Sequence, residues 1–430
     1  MISDLLPTAE QLSDEPQLAD AVGLNSLGFA KTPAETLVVV AMSGGVDSST
    51  VAAMLVEEGY NVVGITLQLY DHGVAIQRKG ACCAGADIQD ARRVAATLGI
   101  KHFVLDYESR FRQQVMDDFA DSYLRGETPI PCIRCNQTVK FNDLLETAQE
   151  LGADCLATGH YVRRMAGDGG VRLLRGRDAG KDQSYFLFAT TAEQLAYLRF
   201  PLGRLDKAET RAIARRHGLA IAEKPDSQDI CFVPAGRYGD LVRRLRPGAV
   251  TPGPILDTEG RELGRHNGII DYTIGQRRGL GIGGRRSTGR DRHSADLDVA
   301  DTEPLFVIAI EAERNAVIVG TRDQLACVSV TLKEINWLAA TPPLPGRQVL
   351  ARLRNTAQPL PAEITVWGSD DANANTDTAA ADSAVIRLLQ PQFGIATGQA
   401  AVLYDAENPD WVLGGGWITA APTGNADTAG

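Results

Sequence analysis

The sequence predicts an α/β protein: a doubly wound parallel sheet, followed by a small central domain and a C-terminal β-barrel. Three observations predict it. Between residues 36 and 235, short β-branched runs alternate with helical stretches, the texture of a sheet covered by helices on both faces. After about residue 240 the helices disappear, and glycine, proline and short alternating runs take over. And 430 residues are too many for one ordinary core.

The elements read in order as follows. Residues 1–35 show no sustained period and are expected to be a poorly ordered leader. LVVVAM, from residue 37, is a buried strand, followed by a glycine-rich turn and the helical stretch SSTVAAMLVEEGY. NVVGITLQLY and HFVLDY are further strands, with DIQDARRVAATLG a helix between them. From FRQQVMDDFADSYLRG to VKFNDLLETAQELGA the chain is helical around a loop carrying C-x-x-C, and ADCLATGHY is a fourth strand. DKAETRAIARRHGL is a helix opened by Asp206 as N-cap. The central domain is expected over 236–300 and the β domain over 301–420, with an acidic insertion at 369–384 and a loose tail at 421–430.

A hydrophobic content of 44% and a charged content of 23% are those of a soluble globular chain. No apolar run approaches the roughly eighteen residues that cross a bilayer, and the acidic N-terminus lacks the order of a secretory signal, so a cytoplasmic protein with no membrane partner is expected. The net charge of -11 is uneven. Asp4, Glu10, Asp14, Glu15, Asp20 and Glu35 crowd the leader, and Asp370, Asp371, Asp377 and Asp382 the insertion. Basic clusters at Arg243, Arg244 and Arg246, and at Arg277, Arg278, Arg285 and Arg286, suit a nucleic-acid backbone as well as they suit a solvated surface. The cysteines at 82, 83, 132, 135, 155, 231 and 327 do not form a disulfide framework in so long a chain. Cys155 and Cys327 read as buried thiols, and Cys82 and Cys83 are left undecided.

The most specific motif is SGGVDSS, Ser43 to Ser49, set between a strand and a helix. Its glycines let the backbone turn and present N–H groups to an anion, and the helix adds its positive end, so it suits a phosphate or pyrophosphate. It has neither the G-K-[ST] of a Walker A loop nor G-x-G-x-x-G. The pair Cys132 and Cys135 fits a zinc site, a redox pair or an iron-sulfur ligand set on spacing alone.

S-G-G-x-D-S after the first strand resembles the PP-loop of the N-type ATP pyrophosphatases. Together with TPIPCIRCNQTVKF, ATGHY, LLRGRDAGKDQSYFL, KPDSQDICF, YTIGQRRGLGIGG and GGGW, it resembles the tRNA-specific 2-thiouridylase family from residue 37 to 420. The resemblance implies adenylation of O2 of the wobble uridine by ATP, then replacement of that oxygen by sulfur carried as a cysteine persulfide. It implies that Ala41, Met42, Ser43, Gly44, Gly45, Val46, Asp47, Ser48, Leu67 and Gly159 bind ATP, with Asp47 at the Mg²⁺-pyrophosphate end. Cys135 is the implied nucleophile and Cys231 the persulfide carrier, closing a transient disulfide that is then reduced. Ile130, Pro131, Cys132, His160, Lys181, Asp182, Gln183, Arg354, Asn355 and Gln399 are the implied tRNA contacts, although Asn355 stands where an aromatic residue is more usual. The implied partners are tRNAs for Lys, Glu and Gln and a cysteine desulfurase or sulfur-relay protein.

Cys132 departs from the pattern, since the family commonly carries an aspartate there. Either the thiol replaces that carboxylate as an acid/base, or Cys132, Cys135 and Cys231 hold an iron-sulfur cluster with one iron open to sulfide. Two other readings remain: a different PP-loop ligase working through an acyl-adenylate, which needs no paired cysteines, and a binding module with a vestigial nucleotide loop.

Overall fold

The computed structural model describes residues 23–70, 83–167, 170–226, 230–233, 238–282, 303–339, 341–368 and 383–422. Its first sheet contains β1 (Leu37–Ala41), β2 (Asn61–Gln68), β3 (Lys101–Asp106) and β4 (Cys155–Ala157). A hairpin of β5 (Val162–Gly167) and β6 (Gly170–Arg175) stands outside it, and β7 (Leu198–Arg199) completes it. The order is β3-β2-β1-β4-β7, and every pairing is parallel. Alternate side chains of β1 enter different cores. Val38 and Val40 join the cluster with helices Val46–Glu57 and Lys207–Arg216, while Val39 packs with Phe141, Leu144 and Leu156 on the other face. Helices on both faces leave no polar side for this strand, which is why LVVVA reads as a continuous apolar run.

The central sheet joins β8 (Gly253–Leu256), β9 (Glu262–His266), β10 (Phe306–Glu311) and β11 (Ala316–Gly320) in the order β10-β11-β8-β9. It therefore ends at Gly320, and the boundary expected at 300 cuts through it, because the parallel pairing of Val317 with Ile255 is a long-range contact without local signature. Six antiparallel strands follow: β12 (Ala326–Trp337), β13 (Gln348–Arg352), β14 (Leu360–Gly368), β15 (Ser383–Phe393), β16 (Ala400–Asp405) and β17 (Val412–Ala420). They close as β12-β15-β14-β13-β16-β17, and closure removes the exposed edges a flat sheet would present.

Three further expectations are corrected. Part of the leader is packed: Leu27 is buried, Asn25 donates to the Thr36 hydroxyl at 2.9 Å, and Phe29 lies against the Arg199 guanidinium. Hydrogen bonding rather than apolar periodicity holds this segment, so pattern reading passes over it. Helix does not stop at 240, since Tyr238–Leu245 is helical and buries Leu241 and Val242. The acidic insertion is shorter than expected, because Ser383 and Ala384 already belong to β15. Residues 369–382, with Cys82, Arg285 and Arg286, lie outside the described residues.

Candidate active site

The sheet's winding reverses between β1 and β4, and the loops leaving their carboxyl ends diverge there, opening a crevice. Ser43–Ser48 follows β1, and Thr158–His160 follows β4. The Ser48 hydroxyl accepts from the Ser43 N–H at 3.1 Å, and the Ser49 hydroxyl donates to the Gly45 carbonyl at 2.8 Å, so the turn is fixed before any ligand arrives. Gly44 has φ +73°, and a Cβ there would stand 2.1 Å from the Asp87 carbonyl oxygen. At Gly159 a Cβ would stand 2.8 Å from the Ser48 nitrogen, so the β4 loop abuts the helix start only because it carries glycine. The Met42 side chain is buried in the core, and Val46 with it, so these two residues offer the crevice backbone rather than side chain. Ala41 ends β1, and Leu67 stands half-buried next to the end of β2.

Charged groups that the motif does not contain surround this loop. Lys207 donates to the Asp47 carboxylate at 2.7 and 2.9 Å, and the Tyr161 hydroxyl donates to it at 2.9 Å. Burial, reinforced by Asp47, raises the Tyr161 phenol well above its ordinary value, so it stays a donor. Asp226 receives Lys181 at 2.7 Å, Lys207 at 2.7 Å and Arg211 at 3.2 Å. Burial works against its ionisation, but the hydrogen bonds from Lys181 and Lys207 outweigh burial and hold its carboxyl below the usual range. Lys224 braces the loop from another side, donating to the Gly44 carbonyl at 2.9 Å and to Asp87 and Asp90 at 2.6 Å each. Spacing arguments missed Tyr161, Lys207, Arg211, Lys224 and Asp226. The one local signal was the N-cap Asp206, which fixes Lys207 as the first residue of its helix.

The C-x-x-C segment is a helix start. Pro131 is the first residue of Pro131–Arg134, where a missing N–H costs nothing, and Cys135 opens the wide π-helical stretch Cys135–Asp143. The barrel pins this segment. The Thr128 N–H donates to the Thr397 carbonyl at 2.8 Å, and the Gln399 side chain donates to the Thr128 carbonyl at 2.7 Å. Arg134 makes two hydrogen bonds to Glu334, at 2.7 and 3.1 Å, and its guanidinium lies 4.4 Å from the centre of the Trp417 ring.

Cys135 is buried, whereas Cys132 and Cys231 are exposed residues, and all five described cysteines whose side chains are placed are free thiols. Burial raises the Cys135 thiol, with Lys140 working against it and Cys132 adding to it. Although Cys231 is an exposed residue, the protein packed around its sulfur pushes the thiol up to about 12, helped by repulsion from Cys135 and Cys132. Lys140 and a hydrogen bond with Tyr70 oppose that rise. Thiols from two segments far apart in sequence are thus close enough to shift one another's titration.

The implied tRNA contacts divide. Ile130 and Pro131 line a groove between the C-x-x-C segment and the barrel, with Lys333 and Trp417 opposite. His160 is held by Thr158 at 2.9 Å and packs edge-on against Phe141, and burial pushes its imidazole down to about 3, so it is neutral at ordinary pH. Lys181 is paired with Asp226, and the Gln183 side-chain oxygen Oε1 accepts from the Tyr161 N–H at 2.9 Å. The Asp182 carboxylate is not at the surface. It is buried, with Arg352 at 2.9 Å, the Gly176 and Ser184 N–H groups at 3.1 Å each and the Ser184 hydroxyl at 2.9 Å, so it joins the barrel to the first domain. Arg354 is exposed and donates to the Phe393 carbonyl at 3.2 Å, and the Asn355 carbonyl accepts from Arg352. Of the basic clusters, Arg246 is committed to Asp117 and Asp121, and Arg243 to Asp271, whereas Arg277 and Arg278 are exposed.

The Ser43–Ser48 turn, held by its own serines ahead of the N-terminus of Val46–Glu57, suits the phosphates of a nucleotide. Mg²⁺ would find Asp47 there, with its other ligands coming from phosphate. An iron-sulfur cluster is not supported. Among the described residues, no group of three His, Cys, Asp or Glu is arranged to hold a metal ion, and Cys132, Cys135 and Cys231 form no such set.

Comparison with known proteins places these features in context. The family model described as "tRNA methyl transferase HUP domain" matches residues 36–235. The "tRNA methyl transferase PRC-barrel domain" matches 243–321, and the "Aminomethyltransferase beta-barrel domain" 328–418. A protein named tRNA-specific 2-thiouridylase MnmA from Rhodospirillum centenum is 60% identical over 398 residues, covering 93% of this chain and 95% of that protein. Proteins of the same name are 56% identical in Parvibaculum lavamentivorans (92% of this chain, 94% of that protein) and 51% identical in Maricaulis maris (100% and 99%).

Proposed function

The chain belongs to the tRNA-specific 2-thiouridylase family, and from that premise we propose that it thiolates position 2 of the wobble uridine of tRNA at the expense of ATP. The observation that carries the reading is the meeting of two chemistries on one segment. Lys224 touches the Gly44 carbonyl of the phosphate-fitting loop, and seven residues on, Cys231 is electrostatically coupled to Cys132 and Cys135.

Carbonyl oxygen is a poor leaving group and AMP a good one. Uridine O2 attacks the α-phosphorus of ATP, the bond to the β-phosphate breaks, and pyrophosphate leaves with the electron pair. Ser43–Ser48 binds the phosphates, and Asp47 would hold a Mg²⁺ ion whose charge would neutralise them further. Cys231 carries the sulfur as a persulfide delivered by a desulfurase or relay protein. The Cys135 thiolate attacks the Cys231 sulfur, and a Cys135–Cys231 disulfide forms as hydrosulfide departs. Hydrosulfide adds to C2 of the adenylated uridine and expels AMP. An external thiol then reduces the disulfide. Cys132 lies beside the base and serves as the proton carrier in place of the aspartate common in the family. The tRNA is held by Ile130, Pro131, His160, Arg354 and the rim around them, and the tRNAs for Lys, Glu and Gln are the substrates.

The test is expression in cells lacking tRNA 2-thiolation, with tRNA nucleosides analysed by mass spectrometry. Wild type and Cys132→Asp restore 2-thiouridine, while Cys135→Ser and Cys231→Ser do not. Absence of 2-thiouridine with wild type would overturn the reading, and a methylated uridine in its place would point to the methyl transfer named by the matched family descriptions.

A further inference from the structure

The GGGW stretch, Gly414 to Trp417, lies in β17, where it makes room for a bulge in β12. Lys333 pairs with Trp417 and Asn336 with Gly415, so β12 takes three steps where β17 takes two. The backbones crowd there. A Cβ on Gly414 would stand 2.2 Å from the Asn336 carbonyl oxygen, and one on Gly416 2.9 Å from the Lys333 carbonyl oxygen. Within the bulge Glu334 has φ +49°, in the left-handed region where glycine is the usual residue. The first domain holds the bulge from behind: the Asn336 side chain donates to the Phe188 and Thr190 carbonyls at 2.6 and 2.8 Å, and Phe188 packs edge-on against Trp417.

What this crowding aims is one carboxylate at one guanidinium. Arg134 meets Glu334 through two hydrogen bonds, lies over the Trp417 ring and donates to the Gln137 side chain at 3.0 Å. It is the residue before Cys135, and its carbonyl is held as well, accepting from the Thr138 hydroxyl at 2.8 Å. On the other side of Cys135, the Asn136 side chain donates to the Phe186 carbonyl at 3.2 Å. A left-handed residue other than glycine costs about what a partly exposed ion pair returns, so the arrangement adds little stability. What it sets is the place of Cys135. Arg134 also lines the groove with Ile130 and Pro131, but its charge is already met by Glu334, so a phosphate would find no free cation in it.

We propose that Arg134 is a positioning residue for Cys135: through Glu334 and Trp417 it fixes the nucleophile to the barrel, so that the thiol stands where the barrel, and the tRNA bound on it, puts it. Arg134 gives up no proton and touches no reacting atom. The step that depends on it is sulfur transfer, in which the Cys135 sulfur has to approach the Cys231 sulfur in line and small errors of placement are costly. Adenylation, at Ser43–Ser48, does not depend on it. The proposal rests on the reading of Cys135 as the nucleophile.

Its test separates the two steps on the full-length chain, with tRNA, ATP and a cysteine desulfurase with cysteine as the sulfur source. Arg134→Met is expected to slow formation of 2-thiouridine by about 10- to 100-fold, the usual effect of misplacing a reacting group by about an ångström, while the first turnover of pyrophosphate and the affinity for tRNA change by less than about threefold. Glu334→Gln slows the same step, and the double variant is no slower than Arg134→Met, since the two side chains act as one unit. Arg134→Lys, which keeps the charge, recovers part of the loss. An equal fall in pyrophosphate and 2-thiouridine would reveal a merely structural arginine. Loss of tRNA affinity in step with 2-thiouridine would make it a tRNA contact, and unchanged 2-thiouridine would leave it no role; each of these overturns the proposal. Should Arg134→Met not fold, the same ratio of the two steps is read on Glu334→Gln. Failure of the wild-type protein to form 2-thiouridine would instead overturn the function proposed for the chain.

Discussion

The two loop glycines are equivalent in the motif and unequal in the fold. Replacing Gly44 by alanine puts a Cβ 2.1 Å from the Asp87 carbonyl oxygen and 2.7 and 2.8 Å from two more backbone atoms, at φ +73°. The positive φ costs about 1–2 kcal/mol. The overlap is with the backbone of helix Cys83–Leu98, which no rotamer change relieves, so that helix start must retreat by more than an ångström, at about 1–3 kcal/mol. The sum, about 2–5 kcal/mol, corresponds to a fall of about thirtyfold or more in the population of the intact loop. Gly45 has φ −91°, and a Cβ there meets only the Ser43 hydroxyl, at an ordinary 3.4 Å, so Gly45→Ala costs under about 1 kcal/mol as a changed N-cap. Hydrogen exchange over residues 42–58 and binding of α,β-methylene-ATP read the difference. Gly44→Ala should lose protection and affinity together, while Gly45→Ala keeps its protection. Equal protection in the two variants would refute the reasoning from the Asp87 approach.

Two other outcomes are expected. Asp182→Ala leaves Arg352 buried beneath the barrel without its carboxylate and should destabilise the protein by about 3–5 kcal/mol, with earlier proteolytic release of the barrel; Asp182→Ala with Arg352→Met should recover a large part, and a single variant that melts like wild type would contradict the assignment. With its thiol at about 12, Cys231 should alkylate with iodoacetamide about a thousandfold more slowly at pH 8 than an ordinary cysteine, its rate still climbing about tenfold per unit above pH 9. The same shift makes the folded state lose stability as pH rises from about 9 towards 12, since the unfolded thiol ionises first. Site-resolved mass spectrometry across pH measures this rate, and a plateau at or below pH 9 would count against the burial of the Cys231 sulfur.

What the sequence made legible follows the range of the interactions. LVVVA declared a strand buried on both faces, and SGGVDSS declared a turn for an anion, because local rules govern both. The hairpin β5–β6 went unread, since VRRMAG and GVRLLR carry four arginines in all and hide their alternation. Cys132 and Cys135 were read into a loop, because Pro129 and Pro131 break the apolar spacing ahead of them; the structure makes Pro131 a helix start, and only the part of the π-helical stretch from Val139 was read as helix. The family resemblance implied Asp182 as a tRNA contact; it is buried here because a guanidinium 170 positions away meets it, a partner no local window contains. Lys207 and Asp47 are hidden from each other in the same way.

The two thiols proposed to exchange sulfur are carried by differently anchored segments. Cys231 follows residues tied to the nucleotide loop, through Lys224 to Gly44 and through Asp226 to Lys207. Cys135 follows residues tied to the barrel, through Thr128 to Thr397 and through Arg134 to Glu334. The proposed cycle bonds two sulfurs that are separate here, so one anchor has to yield. Lys224 holds two carboxylates and a carbonyl on one side, and Arg134, lying over Trp417, holds Glu334 on the other, the two cations being similarly exposed. The barrel carries Arg354, one of the proposed tRNA contacts. On the proposed cycle, a bound tRNA acts on the segment that holds Cys135, ATP acts on the segment that holds Cys231, and sulfur transfer is favoured only when both are in place.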